Sequence, residues 1–286
     1  MTIFEQTLTV NNGNRISQLG LGTWEIADDK VAEAVRQAIK LGYRHIDTAQ
    51  DYFNEAGVGE GIRTSGVVRE ELFVTTKLSA AHKDYDSACA AIEGSLAKLN
   101  IDYIDLMIIH APQPWANFRN GEHYFEGNLE AWRALEDFYQ AGKIKAIGVS
   151  NFEVVDLENI LNNGKVKPAV NQVLCHIGNT PFELIDFCQQ HDIVVEAYSP
   201  IAHGAIIGHP AIQAMAEKYG VSLPQLCIKY DMQLNTVVLP KTANPDHMAS
   251  NAELDFTITD VDMETLKAID SIDYGQASVF PVFSGK

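Results

Sequence analysis

The sequence predicts an α/β protein folded as one parallel (β/α)8 barrel, the TIM-barrel architecture, over residues 1–286. Short apolar runs alternate eight times with stretches of helical periodicity. A length of 286 residues suits one such barrel, and no linker or low-complexity segment divides the chain. Polar or reactive residues stand at the ends of seven of the eight runs, where a barrel has its active-site mouth. The chain is therefore expected to form a single domain.

The predicted strands are short and apolar, as strands buried on both faces are. In chain order they span residues 18–24, 43–47, 72–77, 103–110, 144–149, 169–173, 193–197 and 236–239. Ahead of them, the turn sequence Asn11-Asn12-Gly13-Asn14 separates extended runs at 7–10 and 15–17. This arrangement predicts a short N-terminal hairpin before the barrel.

Amphipathic stretches of helical period lie between the strands. The helices that we predict include residues 29–41, 84–99, 128–140, 153–162 and 181–191. Asp28, Asp84 and Asn128 stand where an N-cap is expected. Residues 272–286 carry aromatic side chains between Gly and Pro residues, so they predict a C-terminal loop, with a frayed terminus as the alternative.

Composition and charge exclude several classes of function. Apolar residues make up 46% of the chain and charged residues 21%, which is enough to form a sizeable core. With 21 Lys and Arg against 38 Asp and Glu, the net charge of −17 disfavours nucleic acid and anionic membranes as partners. No apolar stretch of about 18 residues predicts a membrane span, and the first residues do not resemble a secretion signal.

The cysteines and histidines show no spacing typical of a disulfide scaffold or a metal site. The four cysteines form no CxxC pair, which favours reduced thiols in a cytoplasmic protein. The nine histidines are scattered, so we expect no metal site. No heptad pattern or exposed apolar stripe calls for a partner chain, and we expect a monomer that binds a small molecule.

Four residues form a candidate catalytic group. Asp47, Lys77 and His110 end three successive predicted strands, and Tyr52 lies five residues beyond Asp47. These strand ends converge in a barrel. A free tyrosine has a pKa of about 10 and is a poor acid at neutral pH, but a neighbouring ammonium is expected to lower that value. Asp47 would pair with Lys77, and His110 would orient the oxygen of a substrate. The group predicts proton donation to a carbonyl oxygen.

Each of the four has a plainer interpretation when taken alone, as a loop carboxylate, a solvated lysine, a packed histidine or an uninformative tyrosine. Their coincidence at mutually reachable strand ends favours chemistry. A barrel lyase or isomerase acting on phosphorylated sugars through a Lys77 Schiff base remains an alternative.

Several ordered segments carry a resemblance to a known family. They are GYRHIDTA at 42–49 followed by Tyr52 and Glu55, IDLMIIH at 104–110, KIKAIGVSNF at 143–152, NQV at 171–173, AYSP at 197–200 and LPKT at 239–242. On these segments the chain resembles the aldo-keto reductase family over nearly its whole length.

The resemblance implies an NADPH-dependent oxidoreductase that reduces aldehydes or ketones to alcohols by hydride transfer. Tyr52 would be the general acid, Lys77 and Asp47 would tune it, and His110 would position the carbonyl. The alternative within the same fold is a non-catalytic, nicotinamide-binding regulatory relative. The intact catalytic group argues against that alternative.

The resemblance also implies where the cofactor binds. The carboxamide would be held by Ser150, Asn151 and Gln172, and the nicotinamide ring would stack on Tyr198. The pyrophosphate would be clamped by Ser199 and Ile201, and the adenine would contact Asn251. Lys241 and Thr242 suit phosphate binding, because barrels often bind phosphate near strands seven and eight. The glycine runs at 20–22 and 57–61 both fail the G-x-G-x-x-G fingerprint of a Rossmann fold.

Two positions depart from the family's pattern. His247 stands where the family usually has an arginine for the 2′-phosphate of NADPH, so we expect a weaker preference for NADPH, with NADH possible. Ala111 replaces a tryptophan that follows the catalytic histidine in many members. The smaller side chain leaves more room in the substrate pocket, or Trp115 from the following loop supplies that wall. Trp24 matches another pocket position of the family.

Overall fold

The computed structural model describes residues 2–270 and 272–284, and it confirms the predicted parallel barrel. The barrel strands are β3 (Leu21–Gly22), β4 (His45–Asp47), β5 (Phe73–Leu78), β6 (Leu106–Ile109), β7 (Ile147–Ser150), β8 (Val170–Leu174), β9 (Val194–Tyr198) and β10 (Val237–Leu239). The predicted hairpin is present as β1 (Thr7–Thr9) and β2 (Arg15–Ser17), which pair antiparallel. Residues 285 and 286 of the predicted C-terminal loop lie outside the described residues, as do 1 and 271 of the predicted domain.

The barrel closes between its first and last strands. Each strand from β3 to β10 pairs in parallel with the next along the chain. Gly20 N then donates to Val238 O at 2.9 Å, and Gly22 N donates to Pro240 O at 3.0 Å. Closure therefore leaves these strands without a free edge, and it brings their C-terminal ends to one mouth.

Helices surround the barrel on its outer face. They are α1 (Asp28–Leu41), α2 (Glu55–Arg63), α3 (Tyr85–Leu99), α4 (Phe125–Gln140), α5 (Val154–Asn163), α6 (Phe182–Gln190), α7 (Pro210–Tyr219), α8 (Leu223–Gln233), α9 (Pro245–Asn251) and α10 (Asp260–Lys267). Within residues 2–270 and 272–284, no helix is both long enough and apolar enough to cross a membrane.

One of the three predicted N-caps is correct. The Asp84 carboxylate accepts a hydrogen bond from Ser87 N at the start of α3. Asp28 lies inside α1, and its side chain instead accepts from Gly57 N at 2.8 Å. Asn128 lies inside α4, which begins three residues earlier than predicted. Tertiary partners hold these two side chains, so they do not cap their own helices.

The strands alternate between an inner and an outer face. Leu106 and Ile108 point into the barrel, whereas Met107 and Ile109 belong to the core between the strands and the helices. Ile16 of the hairpin packs with the inner cluster and is fully buried. The hairpin thus covers the N-terminal end of the barrel and leaves the opposite mouth open.

The glycine run at 57–61 serves helix packing. A Cβ on Gly59 would lie 2.0 Å from the Leu99 carbonyl oxygen of α3. On Gly57 and Gly61 a Cβ would come within 2.3 and 2.8 Å of carbonyl oxygens of α1. Because only hydrogen fits at these contacts, the run places α2 close between its two neighbours.

Gly59→Ala should destabilise the fold by about 3 kcal/mol, because backbone atoms must move to admit the methyl group. Urea unfolding of the variant and the wild type measures this loss. Gly94→Ala is the matched control: its Cβ would meet nothing within 4 Å on α3, so it should be neutral or raise stability by about 0.5–1 kcal/mol. Equal unfolding midpoints for the two variants would contradict this account of α2.

Candidate active site

The C-terminal ends of the barrel strands surround a cavity of about 500 Å³. The predicted site residues that line it are Trp24, Asp47, Tyr52, His110, Trp115, Ser150, Asn151, Gln172, Tyr198, Ser199, Ile201 and Lys241. Residues 280–282 of the C-terminal loop also line it. Side chains that are far apart in the sequence therefore meet at one place.

Local structure brings the candidate acid over this mouth. β4 ends at Asp47, and the chain then makes one 3-10 turn, Gln50–Tyr52, that carries Tyr52 to the cavity. Lys77 is in β5, and His110 directly follows β6. The parallel register sets Lys77 opposite Ile108, so consecutive strands deliver the catalytic group side by side.

Lys77 is a buried cation with a fixed partner. Its Nζ donates to Asp47 Oδ1 at 2.5 Å and to Thr48 O at 3.0 Å, and the side chain is 1% exposed. Burial alone would lower the pKa of Lys77, but Asp47 and Tyr52 outweigh it and the net direction is upward. A protonated, paired amine is no nucleophile, which disfavours the Schiff-base alternative.

Tyr52 lies against this ammonium. Lys77 Nζ is 4.8 Å from the centroid of the Tyr52 ring. Desolvation raises the pKa of the phenol, Lys77 lowers it, and the net direction is upward. The expectation of a pKa below the usual value is therefore wrong for this site. The ammonium is already paired with Asp47, so its effect on Tyr52 does not overcome burial.

An aspartate that the sequence analysis did not select holds the histidine. Asp51 Oδ2 lies 3.1 Å from His110 Nδ1 and accepts a hydrogen bond from Trp115 Nε1 at 3.0 Å. Because a carboxylate only accepts, Nδ1 carries the proton and Nε2 of the neutral ring is an acceptor. Asp51 directly precedes Tyr52, the candidate acid, and this position was the one signal in the sequence that could have identified it.

The charges of this pair follow from its surroundings. Burial alone would raise the pKa of Asp51, but the hydrogen bonds from His110 and Trp115 hold it at about 2. Burial lowers the pKa of His110 below its ordinary value, against the opposing effect of Asp51. At neutral pH the pair is therefore an ionised carboxylate beside a neutral imidazole.

Aromatic rings form the wall around His110. Its ring centroid lies 5.6 Å from that of Tyr52 and 4.9 Å from that of Trp115, both in edge-on contacts. Ala111 is fully buried and does not line the cavity. Trp115 thus provides the aromatic surface beside the histidine.

A buried amide links two carboxylates. Gln172 Nε2 donates to Asp47 Oδ2 at 2.9 Å and to Glu196 Oε2 at 2.7 Å. Burial and the nearby Asp47 charge raise the pKa of Glu196 to about 8, so Glu196 holds a proton at neutral pH. Glu196 lies within a run that the sequence analysis treated only as an apolar strand, and no local signal indicated its role.

The residues expected at a nicotinamide carboxamide form a polar cluster. Asn151 Nδ2 donates to Ser150 Oγ at 3.0 Å, and Asn151 Oδ1 accepts from Tyr198 Oη at 2.7 Å. Asn151 itself has a φ of 60°, a left-handed conformation that asparagine tolerates. The Ser150 hydroxyl hydrogen can donate and Gln172 Oε1 can accept, a set that fits the C=O and NH2 groups of a carboxamide.

Four further cofactor candidates lie along the chain after β10. Lys241 is exposed at the cavity, whereas Thr242, His247 and Asn251 do not line it. His247 is an exposed residue of α9, and Asn251 is the buried last residue of that helix. The structure therefore separates these three from the catalytic group and places them on a continuous segment beyond Lys241.

Comparisons with known proteins agree on one family. The model of the Aldo/keto reductase family matches residues 17–271. The uncharacterized oxidoreductase YtbE of Bacillus subtilis is 40% identical over 275 residues, which cover 94% of each chain. The glyoxal reductase of Bacillus subtilis is 40% identical over 270 residues, again 94% of each. The crystal structure of an aldo/keto reductase from Brucella melitensis superposes with a TM-score of 0.86 at 38% identity, covering 93% of this chain and 99% of that one.

Glu196 makes stability depend on pH. Its pKa is about 8 in the folded protein against an ordinary value of 4.5, so between these values the unfolded chain releases a proton that the folded chain keeps. Wild-type stability should therefore fall as pH rises through this window. Glu196→Gln removes the effect, so the variant should gain stability relative to wild type from pH 5 to pH 8.

Urea unfolding at several pH values measures this difference. The exposed Glu217→Gln, which exchanges the same groups at the surface, is the control and should follow the wild type. If the free energy of unfolding has the same pH dependence in the wild type and in Glu196→Gln, the buried carboxyl is not protonated in the folded state.

Proposed function

The chain belongs to the aldo/keto reductase family and is a nicotinamide-dependent oxidoreductase acting on carbonyl groups, and we propose that it uses NADPH to reduce an aldehyde or ketone to the alcohol with Tyr52 as general acid. The observation that carries this proposal is the buried Asp47–Lys77 ion pair beneath the Tyr52 ring, beside His110 at the cavity. That arrangement can supply a proton and stabilise the anion left behind.

Tyr52 acts when the substrate oxygen becomes basic. Bound NADPH supplies the hydride. As the carbonyl carbon is reduced, its oxygen gains negative charge and becomes a stronger base than a phenolate. Tyr52, which burial keeps protonated, then donates its proton to that oxygen. Lys77 stabilises the phenolate more than the phenol, so its contribution is largest where charge develops.

His110 orients the hydroxyl of the alcohol product, not the carbonyl of the substrate, and it is not the acid. Asp51 holds the proton on Nδ1, so Nε2 of the neutral ring accepts a hydrogen bond from the product hydroxyl. Only the imidazolium would donate to the carbonyl oxygen. Because burial lowers the pKa of His110, the donor at neutral pH is Tyr52.

We propose the following cofactor contacts. The nicotinamide carboxamide is held by Ser150, Asn151 and Gln172, and its ring stacks on Tyr198. The phosphates are bound by Ser199, Ile201, Lys241 and Thr242. The 2′-phosphate faces His247, and the adenine contacts Asn251. The donor and acceptor set described above supports the carboxamide contacts. A chain with a net charge of −17 repels an anionic cofactor at long range, so Lys241 has to offset this locally.

Trp24 and Trp115 are the proposed substrate contacts. Both line the cavity, Trp115 beside His110 and Trp24 against Phe280 of the C-terminal loop, with ring centroids 4.8 Å apart. The loop therefore contributes to the proposed substrate wall, which favours the predicted loop over a frayed terminus.

The alternatives raised by the sequence gain no support. The catalytic group is intact and assembled, and the relatives named above are an oxidoreductase and reductases, so a non-catalytic binding protein is not favoured. We further propose that the chain works as a single-domain monomer in the cytoplasm. Barrel closure between Leu19 and Val238, which are separated by most of the matched region, supports one domain.

Tyr52→Phe should lower kcat about 10²–10⁴-fold, because the general acid is lost. The phenyl ring keeps its packing, so the Kd for NADPH should be essentially unchanged. Steady-state aldehyde reduction and fluorescence titration with NADPH measure the two quantities. Tyr103→Phe removes a hydroxyl at the other end of the barrel and should keep full turnover. Wild-type turnover in Tyr52→Phe would remove Tyr52 from the acid role.

His247→Arg should raise the ratio of kcat/KM for NADPH over NADH about tenfold. A guanidinium offers the 2′-phosphate a fixed pair of charge-assisted hydrogen bonds, a geometry that an imidazole cannot provide. His191→Arg adds the same charge near the opposite end of the barrel and should leave the ratio unchanged. A ratio that does not move in His247→Arg contradicts the assignment of His247 to the 2′-phosphate.

A further inference from the structure

The cavity wall next to the catalytic group carries a carboxylate that the reduction itself does not use. Asp51 lines the cavity, and its side chain is 28% exposed. Its Oδ2 is held between His110 Nδ1 and Trp115 Nε1, at 3.1 and 3.0 Å. With two donors on one oxygen, the side chain is fixed at the wall and does not turn out to solvent.

The charge around Asp51 is not balanced on the substrate side. Asp47 and Lys77 neutralise each other within their ion pair. His110 is neutral above its lowered pKa, and Tyr52 is protonated. This half of the cavity therefore has a net charge of about −1, located on Asp51.

The cationic residues that line the rest of the cavity are assigned to other anions. Among the described residues that line it, Lys241 is the exposed cation, and the proposed function assigns it to the cofactor phosphates. His203 lines the cavity 3.8 Å from Glu25, which offers it a carboxylate partner of its own. A substrate carboxylate or phosphate beside His110 would therefore meet Asp51 with no cation assigned to it.

We propose that Asp51 determines substrate charge: it rejects anionic carbonyl compounds, so the substrate is a neutral or cationic aldehyde or ketone. This proposal rests on the proposed function and adds the substrate class to it. Repulsion between two like charges is strong in a partly desolvated cavity, and specificity often depends on such a repulsive element. Trp24, Trp115 and Phe280 provide apolar surface for the uncharged body of the substrate.

The test compares benzaldehydes whose para substituent is anionic, neutral or cationic, and the comparison with Asp51→Asn isolates the effect of charge. The probes are 4-carboxybenzaldehyde, the neutral methyl 4-formylbenzoate and the cationic 4-(trimethylammonio)benzaldehyde, with NADPH oxidation as the readout. Wild type should show a kcat/KM at least about tenfold higher for the ester than for the carboxylate, with the cation at or above the ester. In Asp51→Asn the ester-to-carboxylate ratio should fall about tenfold. Any general loss of activity through His110 cancels in that ratio.

Glu217→Gln is the matched control, because it removes a carboxylate charge from an exposed residue of α7 that does not line the cavity. It should keep the wild-type ratio. A wild-type ratio near one, or a ratio that Asp51→Asn leaves unchanged, would overturn the role of Asp51 while leaving the reductase assignment intact.

Failure of the wild type to reduce any of the three aldehydes with NADPH or NADH would instead count against the proposed function. Asp51 is then tested by binding, with benzoate and benzamide titrated against tryptophan fluorescence. Weaker binding of benzoate that recovers in Asp51→Asn supports charge selection. Equal affinities in the wild type overturn it.

Discussion

The buried ammonium of Lys77 sets the requirements that the rest of the site meets. A cation that is 1% exposed is stable only with a close anion and further acceptors, which Asp47 and the carbonyl of Thr48 supply. Asp47 is held in turn by Gln172, and Gln172 by Glu196. One hydrogen-bonded network thus runs from β5 through β4 and β8 to β9, and it fixes the ammonium against the ring of Tyr52, the proposed proton donor.

This network explains why the electrostatics favour the reacting state. A phenol with a lowered pKa would be partly ionised before substrate arrives and would then have no proton to give. Desolvation keeps Tyr52 neutral, and the ammonium 4.8 Å from its ring is available when the phenolate forms. The advantage therefore arises during the reaction, as preorganised charge does.

The fold and the catalytic group were predictable from the sequence because both depend on periodic and positional signals. Buried strands give short apolar runs, and polar residues at the ends of these runs, such as Asp47 and His110, lie at the mouth. Asp51 and Glu196 were not predictable, since their roles depend on partners distant in the sequence. The upward direction of the Tyr52 pKa was not predicted for the same reason, because burial is a property of the assembled barrel.

Closure of the sheet between β3 and β10 also has a consequence for biosynthesis. The residues that pair across this seam, such as Leu19 and Val238, are separated by most of the chain. A nascent polypeptide emerging from the ribosome cannot complete the seam until β10 has been made. Until then the outermost strands expose unpaired amides and carbonyls, the kind of edge at which parallel intermediates aggregate. Because translation runs from the N-terminus to the C-terminus, the open edge of β3 stays unpaired until β10 has been made.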